Sequence, residues 1–200
     1  MDLAYFYNGR CPQRFVMWKI YISKRRKVLW RAKEKVDILV EPIKEEEKEI
    51  LRNLYEKYEY ELSQYTNCDV NKLGLYGFGF LDYYWSEDNR YAFFIKVDNK
   101  LAGFVLINDY PAIKKLDTKY TLDSLFVLYK YRRHGVAKYC IRYVFDKFKG
   151  KWQLNVIPKN VTSKIFWENT IDEYTNGKYE IMENAAHDDG YIGHVFSFES

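Results

Sequence analysis

Cysteine is scarce in this sequence, and its spacing is irregular. Cys11, Cys68 and Cys140 lie far apart, and none of them belongs to a C-x-x-C pair. Such spacing gives no reason to expect a disulfide framework or a zinc knuckle. Without structural disulfides, a reducing compartment is the default prediction.

Long apolar runs are also absent. The apolar stretch from Phe15 to Ile22 is interrupted by Lys19, and no apolar segment is long enough to cross a bilayer. Asp2 places an acid where a secretory signal peptide carries positive charge, and no small-residue cleavage site follows. The sequence therefore predicts a cytoplasmic protein with no membrane partner.

Charge divides the chain into two regions. The first 35 residues carry ten lysine and arginine residues against two acids, Asp2 and Glu34, so the overall net charge of +4 leaves −4 for residues 36–200. Hydrophobic residues make up 48% of the 200 residues, which suits a single domain with a substantial core. We predict a basic N-terminal extension over residues 1–35, as a solvated tail or packed arm, and one domain over residues 36–200. Binding of nucleic acid or another acidic partner by the extension is the less favoured alternative.

The first half of the domain predicts a strand, a helix, a loop and a β-hairpin. A short strand covers residues 36–40, and Pro42 opens an amphipathic helix. Apolar residues recur along this helix at spacings of three and four, namely Ile50, Leu51, Leu54, Tyr55, Tyr58, Leu62 and Tyr65. Residues 66–89 lack a period and predict a loop with a short helix. Strands over residues 91–97 and 100–107 flank an Asp-Asn turn.

The second half alternates strands and helices. The predicted elements are a strand over residues 120–128, a helix over 136–150, a strand over 151–156, a helix capped by Asn160, and strands over 179–183 and 191–199. Cys140 lies on the apolar face of the first of these helices and is predicted to be a core residue, not a nucleophile. Ile165, Phe166 and Ile171 are expected to face inward. The fold class is α/β, with a mixed sheet that is antiparallel in its first half and parallel where a helix connects strands.

One junction between a strand and a helix carries a chemical signal. The N–H groups at a helix N-terminus bind an anion without the help of a lysine. Gly135 would let the backbone approach the anion, Ala137 keeps the first turn narrow, and Arg132 and Arg133 add positive charge. The pattern Arg-x-x-Gly-x-Ala is weak alone, but its position before an amphipathic helix predicts an anion site.

The segment from Leu125 to Ala137 resembles the acyl-CoA signature of the GNAT superfamily of N-acetyltransferases, which is Gln/Arg-x-x-Gly-x-Gly/Ala behind a strand. The run from Asn160 to Trp167 is similar to the family's second element, and the two lie at the expected separation. The resemblance covers residues 36–200, including Gly103 in the hairpin, and leaves residues 1–35 outside. It implies the acyl-CoA N-acyltransferase fold, a mixed, centrally splayed β-sheet flanked by helices.

The resemblance also implies acetyl-CoA as cosubstrate and assigns residues to its binding. A strand edge would hydrogen-bond the pantetheine arm, the turn would hold the pyrophosphate, Asn160 would reach the pantetheine and Phe166 would pack near the cofactor. The assigned residues are Leu125, Phe126, Val127, Arg132, Arg133, His134, Gly135, Val136, Ala137, Lys138, Asn160 and Phe166. For Asn160, a helix cap with no further role is the equally weighted alternative.

The implied chemistry is direct attack of an amine on acetyl-CoA in a ternary complex. In the family, a β-bulge parts two strands, so that a backbone N–H near Val127 would stabilise the oxyanion. Asp123, four residues before Val127, is the predicted catalytic base, acting directly or through water. The alternation of polar and apolar residues around Asp123 leaves solvent or a structural partner as the alternative.

The general acid is uncertain at this level, because the family often has a tyrosine where this chain has Trp167. Another hydroxyl, such as Tyr129 or Tyr174, could supply the proton, the thiolate could leave unassisted, or this member could be catalytically altered. A non-catalytic acyl-CoA-binding module is therefore a second hypothesis.

The acceptor, a small-molecule or peptide amine, is not identified by the sequence. In the family, the loop that here covers residues 65–88 helps to shape the acceptor pocket, and Asp82, Glu87 and Asp88 would suit a cationic amine, with a solvent-facing loop as the equal alternative. Residues 187–189 predict a turn and, even with His194 nearby, no metal site. The sequence leaves a homodimer open.

Overall fold

A computed structural model describes residues 36–188 and 190–200 of the chain. The predicted basic extension, with Cys11, lies outside the described residues. The strands are β1 (Ile38–Pro42), β2 (Tyr91–Val97), β3 (Lys100–Asn108), β4 (Tyr120–Val127), β5 (Lys151–Val156), β6 (Tyr179–Ala186) and β7 (Ile192–Glu199). The helices are α1 (Lys48–Thr66), α2 (Tyr83–Ser86), α3 (Val136–Lys147) and α4 (Val161–Thr175), with short 3₁₀ turns at Glu45–Glu47 and Tyr129–Tyr131.

The seven strands form one sheet in the order β1-β2-β3-β4-β5-β7-β6. Strands β1 to β4 pair antiparallel, and β4 pairs parallel with β5 across the α3 connection, as the sequence predicts. The second helical connection differs from the prediction, because β7 inserts antiparallel between β5 and β6 and so separates the two strands that α4 joins. The expected mixed sheet flanked by helices is confirmed.

The two faces of the sheet bury different cores, because alternate residues of a strand point to opposite sides. Phe93 and Ile95 of β2 pack with α3 and α4, around the buried Cys140, which confirms the prediction that this cysteine belongs to the core. Phe94 packs on the other face against α1, together with Leu51. At about 1.5–3 kcal/mol for each fully buried large apolar side chain, both cores contribute substantially to folding.

Local signals set several boundaries correctly. Asp98 and Asn99 both adopt positive φ, 48° and 58°, as a two-residue hairpin turn requires. The helices α1 and α4 both end at an asparagine with left-handed geometry, Asn67 and Asn176.

Other details of the prediction were wrong. Pro42 ends β1 instead of opening a helix, and a 3₁₀ turn of three glutamates precedes α1. Ile165 and Ile50 are 52% and 44% exposed, so neither faces a core. Throughout the described part of the chain, no helix is long and apolar enough to cross a membrane.

Candidate active site

Strands β4 and β5 diverge midway along the sheet, and a cleft opens between them. They are paired only from Tyr120 to Leu122 of β4, and the remainder of β4 has no partner on that side. The cleft has a volume of about 1580 Å³ and is bounded by α1, β4, the turn before α3, the end of β5 and the first half of α4. The sheet is therefore splayed at its centre, as the resemblance implied.

The free edge of β4 presents backbone groups to this cleft. The amide of Leu128 donates to Ala102 at 2.7 Å, and hydrogen-bonded pairs alternate along an antiparallel ladder. The backbone N–H and C=O of Phe126 therefore form hydrogen bonds with β3, whereas those of Leu125 and Val127 point towards the cleft. Of the three residues assigned to the pantetheine, Phe126 borders the cleft but has no free backbone group, and its ring packs in the core beside α1.

Gly103 of β3 permits the close packing that positions this edge. A Cβ atom at Gly103 would overlap the carbonyl oxygen of Phe126 and would lie 3.0 Å from its carbonyl carbon and 3.1 Å from Cα of Val127. These neighbours are backbone atoms, which cannot turn aside as a side chain can. A side chain at position 103 would therefore force β3 and β4 apart.

The turn before α3 has the backbone of an anion-binding site. Arg133 and Gly135 adopt left-handed conformations, with φ of 65° and 80°, and α3 starts directly after Gly135. Among the described residues, no hydrogen bond is formed by the N–H groups of residues 133–138, the first intrahelical bond being that from Tyr139 to Gly135 at 2.9 Å. Consecutive unpaired N–H groups at a helix N-terminus favour a bound anion.

The side chains of this turn act differently from the prediction. Arg132 donates through Nε to the carbonyl oxygen of Val127 at 2.6 Å and through a terminal nitrogen to both carboxylate oxygens of Glu61, at 2.6 and 2.7 Å. Its charge is thus already paired with α1. Lys138 lines the cleft but forms an ion pair with Glu173 of α4. His134 lies outside the cleft, in a smaller depression.

The α4 side of the cleft holds the second predicted element. Asn160 lines the cleft and caps α4, its Oδ1 accepting from the amide of Ser163 at 3.0 Å. Phe166 is half-buried in the cleft wall, and its ring meets that of the buried Trp167 edge-on at 5.0 Å. Asn160 therefore caps α4 and also borders the cleft.

A β-bulge determines the direction of Asp123. Ser124 lies opposite Leu106 and Leu122 lies opposite Ile107, so that Asp123 is the extra residue in β4. Because of this extra residue, Leu122 and Leu125 pack into the same core although they are three positions apart, an odd spacing that would place them on opposite faces of a regular strand. The resemblance implied a β-bulge without giving its position, and in β4 it lies at the predicted base itself.

Asp123 lies in the cleft with its carboxylate held by two donors. Asn108 donates through Nδ2 to Oδ1 at 3.1 Å, and Ser124 donates through its hydroxyl to Oδ2 at 3.0 Å. The orientation of the Asn108 amide is fixed because its own oxygen accepts from the amide of Tyr110 at 3.0 Å. Although Asp123 is open to the cleft, the surrounding protein raises its pKa above its usual range, because desolvation outweighs the hydrogen bonds from Ser124 and Asn108, which stabilise the charged form.

Helix α1 supplies cleft residues that the sequence did not single out for a site. Tyr55, Tyr58 and Glu59 share one face of the helix and line the cleft. Burial raises the pKa of Glu59, and the negative charge of Asp123 adds to this, while a hydrogen bond from Tyr55 opposes it. In the sequence this face resembles any apolar helix stripe, since tyrosine packs well in a core.

The loop between α1 and β2 does not line the cleft as expected. Asp82 forms an ion pair with Lys48 at 2.9 Å, Glu87 pairs with Arg90 at 2.6 Å, and Asp88 is exposed. The loop instead supports α1 from behind: the ring of Phe78 stacks on Tyr55 at 3.9 Å.

The two tyrosine hydroxyls proposed as alternative general acids also lie outside the cleft. Tyr129 is 83% exposed and lies outside the cleft. Tyr174 donates to Asp146 at 3.0 Å and accepts from Lys149 at 2.9 Å on the far side of α4. Neither is positioned to give a proton to a leaving group in the cleft.

The segment after β6 forms the predicted turn. The amide of His187 donates to Tyr191 at 2.7 Å and that of Gly190 donates to His187 at 3.0 Å. His194 accepts from the amide of Asn184 at 3.2 Å. Within residues 36–188 and 190–200, no group of three or more His, Cys, Asp or Glu side chains could hold a metal ion.

Comparisons with known proteins agree with this geometry. The fold resembles an acetyltransferase from Thermus thermophilus, with a TM-score of 0.59 and 12% identity over 82% of this chain and 97% of that one. A GNAT-family acetyltransferase from Staphylococcus aureus gives a TM-score of 0.55 at 11% identity, over 82% and 99% of the chains. The PaiA N-acetyltransferase from Thermoplasma acidophilum, solved in complex with coenzyme A, gives 0.53 at 10% identity, again over 82% and 99%.

At these identities the structures show a shared fold alone, and a search of curated proteins found no match. The sequence itself carries the family assignment, because residues 43–171 match the acetyltransferase (GNAT) family profile. Since the matched region spans more than half of the chain, this protein belongs to the acetyltransferase (GNAT) family and is an acyltransferase by class.

Proposed function

We propose that the protein transfers an acetyl group from acetyl-CoA to a primary amine in a ternary complex. The observation that carries this proposal is the combination, in one cleft, of a free strand edge, an unpaired N–H turn and the carboxylate of Asp123. The first two features suit the donor, and the third suits the acceptor.

The donor would lie along β4 with its pyrophosphate at the turn before α3. Val127 offers its N–H and Leu125 its C=O to the pantetheine amides, since the carbonyl oxygen of Val127 already accepts from Arg132. The N–H groups of residues 133–138 would hold the pyrophosphate. Arg132, the arginine of the signature, would hold this turn against α1 through its ion pair with Glu61 and would not contact the phosphates.

The acetyl carbon would then lie where β4 and β5 diverge, close to Asp123. The acceptor nitrogen, once it has lost its ammonium proton, attacks the thioester carbonyl carbon, so that a C–N bond forms and the C–S bond breaks. Asp123 accepts the second proton from that nitrogen, directly or through water. The N–H of Leu125, which lies nearer to Asp123 along β4 than that of Val127, would stabilise the oxyanion. The CoA thiolate leaves without a dedicated acid and takes its proton from water.

The test is to follow free thiol while acetyl-CoA is mixed with a panel of primary amines. We expect amine-dependent thiol release, with the acetylated amine identified by mass spectrometry. A non-catalytic acyl-CoA-binding module would bind CoA in calorimetry and release no thiol with any amine, and that result would refute the proposed transfer.

A further inference from the structure

We propose that the acceptor carries a second protonated amino group, as an aliphatic polyamine does, and that Glu59 binds this second cation. The inference rests on the proposed function, because it names the acceptor class for the same cleft. Its basis is the arrangement of α1 against β4 at the end of the cleft away from the turn.

Glu59 is the acid of α1 that lines the cleft without a cation. Glu49 pairs with Arg52 at 3.1 Å, and Glu61 pairs with Arg132. Glu56 accepts from the amides of the loop after α1, at 2.9 and 2.8 Å. Among the described residues, no lysine, arginine or histidine lies within 4 Å of the Glu59 carboxylate. A partly buried carboxylate in that position favours a cation from outside.

A second observation points to a polar ligand in the same cleft. The hydroxyl of Thr121 is buried, the residue being 8% exposed, and it lines the cleft two residues before Asp123. It has no hydrogen-bond partner within the described part of the protein. Buried hydroxyls are normally paired, and an ammonium group brings three donors to such a site.

The surrounding side chains also suit a flexible cation. Tyr55 and Tyr58 lie beside Glu59, with their ring centres 5.4 Å apart, and Tyr110 and Tyr191 line the cleft as well. Aromatic faces attract cations and pack against methylene chains.

The distribution of charge separates the two substrates. The phosphates would lie at the N-terminus of α3, which is positive, whereas the carboxylates of Asp123 and Glu59 make the other region negative. Lys114 also borders the cleft, and its backbone amide is held by Asp188 at 2.8 Å. An acceptor with a carboxylate near its amine would be repelled by both acids, while a dication can meet each with one nitrogen.

The experiment compares acceptors that differ only in the far end of the molecule. Butane-1,4-diamine and spermidine carry a second cation, butylamine carries none, and 4-aminobutanoate carries an anion there. With saturating acetyl-CoA, we expect kcat/KM for the diamine to exceed that for butylamine by about tenfold, the value of one partly buried ion pair. 4-Aminobutanoate should be the poorest acceptor of the series.

Substitutions in α1 test whether Glu59 is the source of the preference for the diamine. Glu59→Gln should reduce the diamine preference to near unity, and Glu59→Asp, which keeps the charge, should retain part of it. Glu49→Gln is the matched control, because it removes the same charge from the same helix ten residues, about 15 Å, away. A loss of preference in Glu49→Gln, or equal losses for both amines in Glu59→Gln, would overturn the role of Glu59.

Equilibrium binding distinguishes failure of this inference from failure of the proposed function. Calorimetry with the CoA-saturated protein should show spermidine binding that weakens in Glu59→Gln. If spermidine binds in this way but no amine releases thiol, the inference stands and the proposed transfer fails. If butylamine or 4-aminobutanoate is acetylated as well as the diamine, the transfer stands and the inference fails.

Discussion

The two ends of the cleft are built in different ways. The proposed donor end consists of one continuous segment, residues 125–138, which offers unpaired backbone groups. The proposed acceptor end brings together the side chains of Glu59 of α1, Asn108 of β3 and Asp123 of β4. A backbone site tolerates change in most of its side chains, whereas a side-chain site can be redirected by single substitutions. This difference explains how a family can keep one donor while its acceptors vary.

The contrast between the two ends of the cleft is tested most directly by changing Asp123, which should affect the acceptor end alone. We expect Asp123→Asn to lower kcat by between 10²- and 10⁴-fold, roughly the contribution of a general base, while CoA binds as before. Steady-state thiol release and calorimetry with CoA measure the two quantities. Loss of CoA affinity together with kcat would contradict the separation, since it would mean that Asp123 maintains the shape of β4.

A substitution at Gly103 should instead damage both ends together. Gly103→Ala places a Cβ against the backbone of Phe126, and we expect it to lower the free energy of unfolding by about 3 kcal/mol, as overpacking does. Chemical denaturation measures this loss, and CoA binding and turnover should fall in parallel. Gly79→Ala is the control, because that glycine has open space around it. Equal stability of the two variants would show that β3 and β4 can adjust.

The same contrast explains what the sequence could and could not predict. The strands, the three long helices and the turn at Gly135 follow from local periodicity, caps and glycine, so the fold and the unpaired turn before α3 were predictable. The bulge at Asp123 was not located, because the register of β4 is set by β3 through pairs far apart in sequence. Glu59 was missed for a related reason: only tertiary packing distinguishes an acid that faces a cleft from one that faces water.

Gly135 offers a way to weaken the donor end alone. Its φ of 80° is a left-handed conformation that costs an alanine about 1–2 kcal/mol, so we expect Gly135→Ala to raise KM for acetyl-CoA by about tenfold with little change in kcat. Gly177→Ala is matched, because Gly177 has φ of 79° at the end of α4, outside the cleft. It should lose similar stability and keep its KM. A normal KM in Gly135→Ala would argue against pyrophosphate binding at this turn.

The smallest expected effect is a shift in pH dependence at the acceptor end. Asp123 must be charged to accept a proton, so activity should fall as pH drops through its pKa, which desolvation by the cleft walls raises above the usual range of an aspartate. The Ser124 hydroxyl stabilises the charged form, and Ser124→Ala should therefore raise this pKa further and move the acid limb of kcat/KM to higher pH. The acceptor's own ionisation also enters the profile, but it is the same for both proteins and cancels in the comparison. Ser86→Ala, an exposed serine outside the cleft, controls for the loss of a hydroxyl. A limb that stays in place in Ser124→Ala, or moves to lower pH, would show that the titrating group at the acceptor end is not Asp123, and Glu59 would be the next carboxylate to test.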